Sequence, residues 1–114
     1  MITPLDVLRR ARGLISKREA WTQRALARDK YCVTICYDSE FACSFCSAGA
    51  IWRAGLDLAP DGFKATEGAF AEIDAVLETG NQALIARFND NATHSEVLAV
   101  FDRAIGRLSR TCGI

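Results

Sequence analysis

Apolar positions recur along the chain with a spacing near 3.6 in several stretches. One stretch breaks the pattern by carrying no charge: residues 41–52 read FACSFCSAGAIW. Such a run predicts a helix buried on nearly every side, spanning 41–54. Phe41, Phe45 and Trp52 form its bulky side, and Cys46, Gly49 and Ala50 a thin one. Asp38 or Ser39 is placed to cap it, Glu40 falls in its first turn, and Gly55 reads as its stop. Glycine in mid-helix costs about 1 kcal/mol relative to alanine, so Gly49 predicts a neighbouring backbone at close range.

The flanking segments read as amphipathic helices. Thr3-Pro4-Leu5-Asp6 has the form of a capping box with proline in the first turn, and Leu5, Leu8 and Ile15 lie on one face. Thr66 is placed to open a helix that turns Phe70, Ile73 and Leu77 inward and ends at Gly80. Asn81 caps a brief one carrying Leu84, Ile85 and Phe88. Thr93-x-x-Glu96 is a second capping box, followed by the stripe Val97, Leu98, Phe101, Ile105 and Leu108, with Arg107 and Arg110 at the negative end. Residues 17–29 suggest a short helix or a turn pinned by the Trp21 indole, and Ala59-Pro60-Asp61-Gly62 a turn. The β-branched and aromatic YCVTICY at 31–37 predicts an extended excursion. The expected fold is therefore mainly α: a compact bundle of four to five helices around a buried central helix at 41–54, with a short extended or β excursion at 31–37. It is expected to form a single helical domain over residues 1–114.

Composition supports a folded core, with 29 Leu, Ile, Val and Phe residues and 18 alanines among 114. Net charge is zero but unevenly spread: residues 1–30 carry +5, residues 31–90 carry −6, and the remainder +1. Opposite blocks of this kind can meet within the fold or mate two subunits, which slightly favours a homodimer. Arginines in the first block are expected to form a solvated helix face, so nucleic acid is not the expected partner. No signal peptide begins the chain and no uncharged run nears 18 residues, so no membrane association is expected. Five cysteines, an odd number, point to a reducing, cytoplasmic setting.

Candidate chemistry centres on cysteines and the lone histidine. Cys43-x-x-Cys46 has redox spacing but lacks the βαβ pattern around it. Cys32, Cys36, Cys43 and Cys46 could furnish four thiolates to a structural zinc, although their spacing differs from paired knuckles. Against both stands the behaviour of cysteine as a small hydrophobe. His94 opens the last helix and could act as base to a Cys46 nucleophile, with Asn89 or Asp90 orienting the ring, as in a small hydrolase or transferase. The alternative places His94 as a helix-start residue, exposed or bonded to the turn at 89–91, with Trp21 and Phe88 in the core and Asn89 as turn former. No Gly-rich phosphate loop, H-E-x-x-H or EF-hand pattern occurs, so no cofactor is expected.

The ordered set W-T-Q-x-A-L-A-R-D (21–29), F-C-x-A-G-A-I (45–51), F-N-D (88–90) and T-H-x-E-V-L-x-x-F-D-R-A-I (93–105) resembles a family of small uncharacterised bacterial and phage proteins. The resemblance runs from about Asp6 to Ile105 and implies no assigned activity. It does imply shared roles for Trp21, Cys46, Gly49, Ala50, Asn89, Asp90, His94 and Glu96, hence a junction or pocket near Cys46 and residues 89–94. Cys32, Cys36 and Cys43 fall outside that pattern, which weakens the zinc alternative. Taken together, the residues favour a noncatalytic accessory or protein-interaction domain. Its expected signature is a solid core containing Cys46 and Gly49 and an exposed apolar strip near 31–37.

Overall fold

The computed structural model describes residues 1–58, 63–78 and 82–112, with backbone alone at 82, 83, 111 and 112. Among these residues five helices form: α1 (Pro4–Leu14), α2 (Ser47–Leu58), α3 (Phe63–Leu77), α4 (Gln82–Asn91) and α5 (His94–Cys112). Between α1 and α2 the chain makes a 3-10 turn at Arg18–Ala20 and three two-residue strands, β1 (Ala27–Arg28), β2 (Thr34–Ile35) and β3 (Ser44–Phe45). The strands form an antiparallel sheet in the order β2-β1-β3, with Ala27 opposite both Ile35 and Phe45. The architecture is thus a mainly α bundle with a short β excursion, the class the hydrophobic pattern predicts.

Both capping boxes form. The Thr3 amide donates to Asp6 Oδ2 at 2.9 Å and the Asp6 amide returns a bond to Thr3 Oγ1 at 3.2 Å. Thr93 and Glu96 make the same reciprocal pair at 2.8 and 3.2 Å. Each box satisfies two amides that the helix geometry leaves without partners. Helix α1 then packs against α2, α3 and α5. It buries Val7, Leu8 and Ala11, with Ile15 just beyond, in a core shared with Ile51, Phe70, Ile73, Ile85, Val97 and Phe101. Within the fold, Arg10 of the basic block pairs with Asp57 of the acidic one at 3.1 Å.

The uncharged run is not a single helix, and the predicted central helix at 41–54 is corrected accordingly. Residues 41–43 belong to a turn and its exit, and α2 starts only at Ser47. Asp38 and Ser39 cap no helix; Ser39 Oγ accepts from the Phe41 amide at 3.1 Å and shapes a tight turn. The physical reason is competition for backbone amides. Cys43 donates to Arg28 O at 2.8 Å and Cys46 to Leu26 O at 3.2 Å, so β1 takes the bonds a helix would have used. Phenylalanine and cysteine are weak helix formers, and an aromatic such as Phe45 fits a pleated surface well.

Two further boundaries move. Gly55 does not stop α2, which continues to Leu58; a side chain at Gly55 would place its Cβ 2.0 Å from Thr66 Oγ1. Thr66 correspondingly does not begin α3, which starts at Phe63, but is buried where α2 and α3 touch. The predicted turn at 59–62, the stop at Gly80 and the cap at Asn81 lie outside the described residues. Among the described residues no helix is long and apolar enough to cross a membrane.

Candidate functional site

The residues singled out near 46 and 89–94 converge on the side chain of Asn89, which is fully buried. Its Oδ1 accepts three bonds, from Trp21 Nε1 at 2.7 Å, the Ser47 amide at 3.0 Å and Ser47 Oγ at 2.7 Å. Its Nδ2 donates to Thr22 O at 3.0 Å. One amide thereby ties the end of α4 to the start of α2 and to the strap leading into β1. Two neighbours reinforce it. Gln23 Nε2 donates to the carbonyls of Asn89 and Ala92, both at 3.0 Å, and Asp90 Oδ1 accepts from the Arg24 amide at 2.7 Å. Arg24 sits at φ 63, a left-handed conformation that this bond helps to hold.

Cys46 serves as the N-terminal cap of α2. Its carbonyl accepts from the Ala50 amide at 2.8 Å, and its Sγ accepts from the Gly49 amide at 3.3 Å, the bond an N-cap side chain normally makes through oxygen. Burial pushes the thiol pKa up from its ordinary value, outweighing the lowering by amides at the helix start, and nearby Asp90 pushes the same way. His94 Nε2 donates to Ile15 O at 2.7 Å rather than to the turn at 89–91, its ring lies 5.5 Å from that of Trp21, and Arg18 also lies over the indole. No hydrogen bond joins Cys46 to His94 among the described residues. The arrangement joins three segments through an amide whose bonds are already made and a buried thiol that caps α2.

The same geometry does not gather the four thiolates of the zinc alternative into one site among the described residues. Cys32, Cys36 and Cys43 are exposed while Cys46 is buried, and no group of three or more metal-ligating side chains forms among the described residues. The sheet separates them, since Cys43 flanks β3 and Cys32 and Cys36 flank β2, with β1 between. The side chain of Cys112 lies outside the described residues.

A second place is built on the outer turns of the sheet. Tyr31 is 74% exposed and Phe41 68%, and both line a cavity of about 430 Å³ with Asp29, Lys30, Glu40 and Cys43. Neither turn is loose. Asp29 Oδ1 accepts from the amides of Tyr31 and Val33 at 2.9 and 3.0 Å, and Arg28 Nη1 donates to Cys32 O at 3.1 Å. On the other side Arg53 donates from α2 to Tyr37 O at 2.9 Å and Ser39 O at 2.8 Å. Val33 beside them is also exposed.

The DUF6197 family model, described as a family of unknown function, matches residues 1–107. The chain belongs to DUF6197. No curated protein and no solved structure matches it. Membership agrees with the resemblance to an uncharacterised family, and the span of the DUF6197 match contains every residue of the Asn89 junction. Sequence reasoning missed Ser47 and Arg53 within this DUF6197 chain, and gave no role to Gln23 and Arg28 inside the motif at 21–29. Arg53 carried a signal, being the first charge after a run without any. Ser47 carried none, because a serine flanked by small apolar residues reads as filler.

Proposed function

We propose that this chain is a noncatalytic protein-interaction domain, acting as one unit, whose contact face is formed by Tyr31, Val33 and Phe41. The observation that carries the proposal is the pair of exposed aromatic rings on turns pinned by Asp29, Ser39, Arg28 and Arg53. Aromatic side chains held rigid before binding lose little entropy on contact and commonly anchor protein interfaces. A reducing compartment, the cytoplasm first, suits the three exposed free thiols Cys32, Cys36 and Cys43. Self-association through the same face is the second form of this reading, supported by the open outer edge of β2.

Two measurements test it. The double variant Tyr31→Ser/Phe41→Ser is expected to keep its unfolding free energy within about 0.5 kcal/mol, because neither ring supports the core. A photo-crosslinking residue at position 33, in the full chain inside cells, is expected to give protein adducts that vanish in the double variant, with none from position 103 on α5. A large stability loss, or equal adducts from both positions, refutes the proposal.

The competing proposal assigns a hydrolase or transferase reaction to Cys46 and His94, with Asn89 and Asp90 in support. Their gathering around Trp21 and Ser47 is its motivation; the raised thiol pKa opposes it. Iodoacetamide at neutral pH separates the two. Modification of Cys32, Cys36 and Cys43 with Cys46 protected is the expected pattern, and preferential alkylation of Cys46 would favour catalysis.

A further inference from the structure

We infer that the cavity between Tyr31 and Phe41 receives the ammonium group of a lysine side chain from the protein partner. The inference rests on the interaction face proposed above and adds the chemistry of what enters it. The cavity, about 430 Å³, is lined by the two aromatic residues and by Asp29, Lys30, Glu40 and Cys43. Aromatic faces are negative at their centres and attract cations, and carboxylates at the rim strengthen the attraction.

The chain itself demonstrates the preference. Lys30 Nζ lies 5.2 Å from the centroid of the Tyr31 ring, so an ammonium already rests over that ring. Asp29 and Glu40 outnumber this single cation. Asp29 is occupied in shaping the Tyr31 turn, whereas Glu40 makes no ion pair among the described residues. Glu40 is therefore the group available to an incoming ammonium, and Lys30 is a resident competitor for the same ring.

Nor does the fold explain the rings. Tyr31 and Phe41 lie outside the core and the residues packed against it, and Cys43 Sγ donates to Phe41 O at 3.4 Å, further fixing the turn. Arg28 holds the carbonyl of Cys32 next to Tyr31, and Arg53 those of Tyr37 and Ser39 before Phe41, so both rings stand on pinned turns. An open aromatic pair with acidic flanks has charge complementarity to a basic side chain.

The test uses the full chain and two short peptides, acetyl-Gly-Lys-Gly-amide and the same peptide with norleucine for lysine, followed by backbone amide shifts in NMR. The lysine peptide is expected to shift the signals of residues 29–43 at millimolar concentration, at least about fivefold more tightly than the norleucine peptide. Glu40→Gln is expected to weaken binding and Lys30→Gln to tighten it, each by about threefold or more, with the remaining spectrum unchanged. Equal binding of both peptides overturns the inference by showing a plain apolar pocket. Absence of binding near 10 mM, or binding indifferent to Tyr31→Ser, overturns it as well. Adducts from position 33 that persist while lysine shows no preference would reject this inference alone; their absence would reject the interaction face too.

Discussion

At the scale of single residues, Asn89 is the most heavily hydrogen-bonded buried side chain among the described residues. Removing it strands the Trp21 indole N–H, the Ser47 amide and hydroxyl, and the Thr22 carbonyl, all at or near a buried junction. Each stranded buried group costs about 1–3 kcal/mol, and partial rescue by water reduces the sum. Asn89→Ala is accordingly expected to lose about 4 kcal/mol in urea unfolding, a large share of a small domain's stability. Asn89→Asp keeps the acceptor, loses the donor and buries a charge, so it is not expected to rescue. A loss under about 1 kcal/mol for Asn89→Ala would mean that the junction is not what holds the strap. Cys46 is likewise tied to its place in the fold, its carbonyl and Sγ accepting from the Ala50 and Gly49 amides at the start of α2.

At the scale of elements, two glycines in helices have opposite reasons to be there. A Cβ on Gly49 would lie 1.9 Å from Leu26 O, so the residue before β1 can approach α2 only because that side chain is missing. On Gly106, in α5, a Cβ would meet nothing within 4 Å. Gly49→Ala is therefore expected to destabilise by more than about 2 kcal/mol, whereas Gly106→Ala is expected to stabilise by up to about 1 kcal/mol. Thermal melts of the two variants check both signs. The α1 capping box adds a pH signature. Bonds from the Thr3 amide and hydroxyl hold the Asp6 pKa below its ordinary 3.8. A lowered folded-state pKa means the contribution is complete above the unfolded value and fades as pH falls through the folded one. Stability of the parent chain is thus expected to decline below about pH 4 more steeply than that of Asp6→Asn, measured as unfolding midpoints against pH.

At the scale of the molecule, the bundle and the sheet are joined through bonds between segments more than sixty residues apart, such as Trp21 to Asn89 and Gln23 to Ala92. The sheet alone is three two-residue strands, too small to persist without docking on α2 and without the strap at residues 21–24 that ties it to α4. Hydrogen exchange provides the check. The amides of Thr22, Cys43 and Cys46, bonded to Phe45, Arg28 and Leu26, are expected to be protected in the parent and to open locally in Asn89→Ala while core amides of α1 remain slow. Uniform loss across the chain would show that sheet and bundle unfold as one unit.

The helices at both ends, their capping boxes, the close approach at Gly49 and the extended excursion near 31–37 could be read in order along the chain. Each depends on residues within a few positions of one another or on a side chain's absence. The division of FACSFCSAGAIW between turn, strand and helix could not be read this way. Its local pattern suits an interior helix, and only the arrival of β1, bringing the carbonyls of Leu26 and Arg28, redirects its amides. Nor could the roles of Ser47 and Arg53 be read, because hydrogen-bond partners distant in sequence leave no period behind. Local pattern determines which segments can be helices; tertiary competition for backbone and buried polar groups decides where each begins and what its side chains are left free to do.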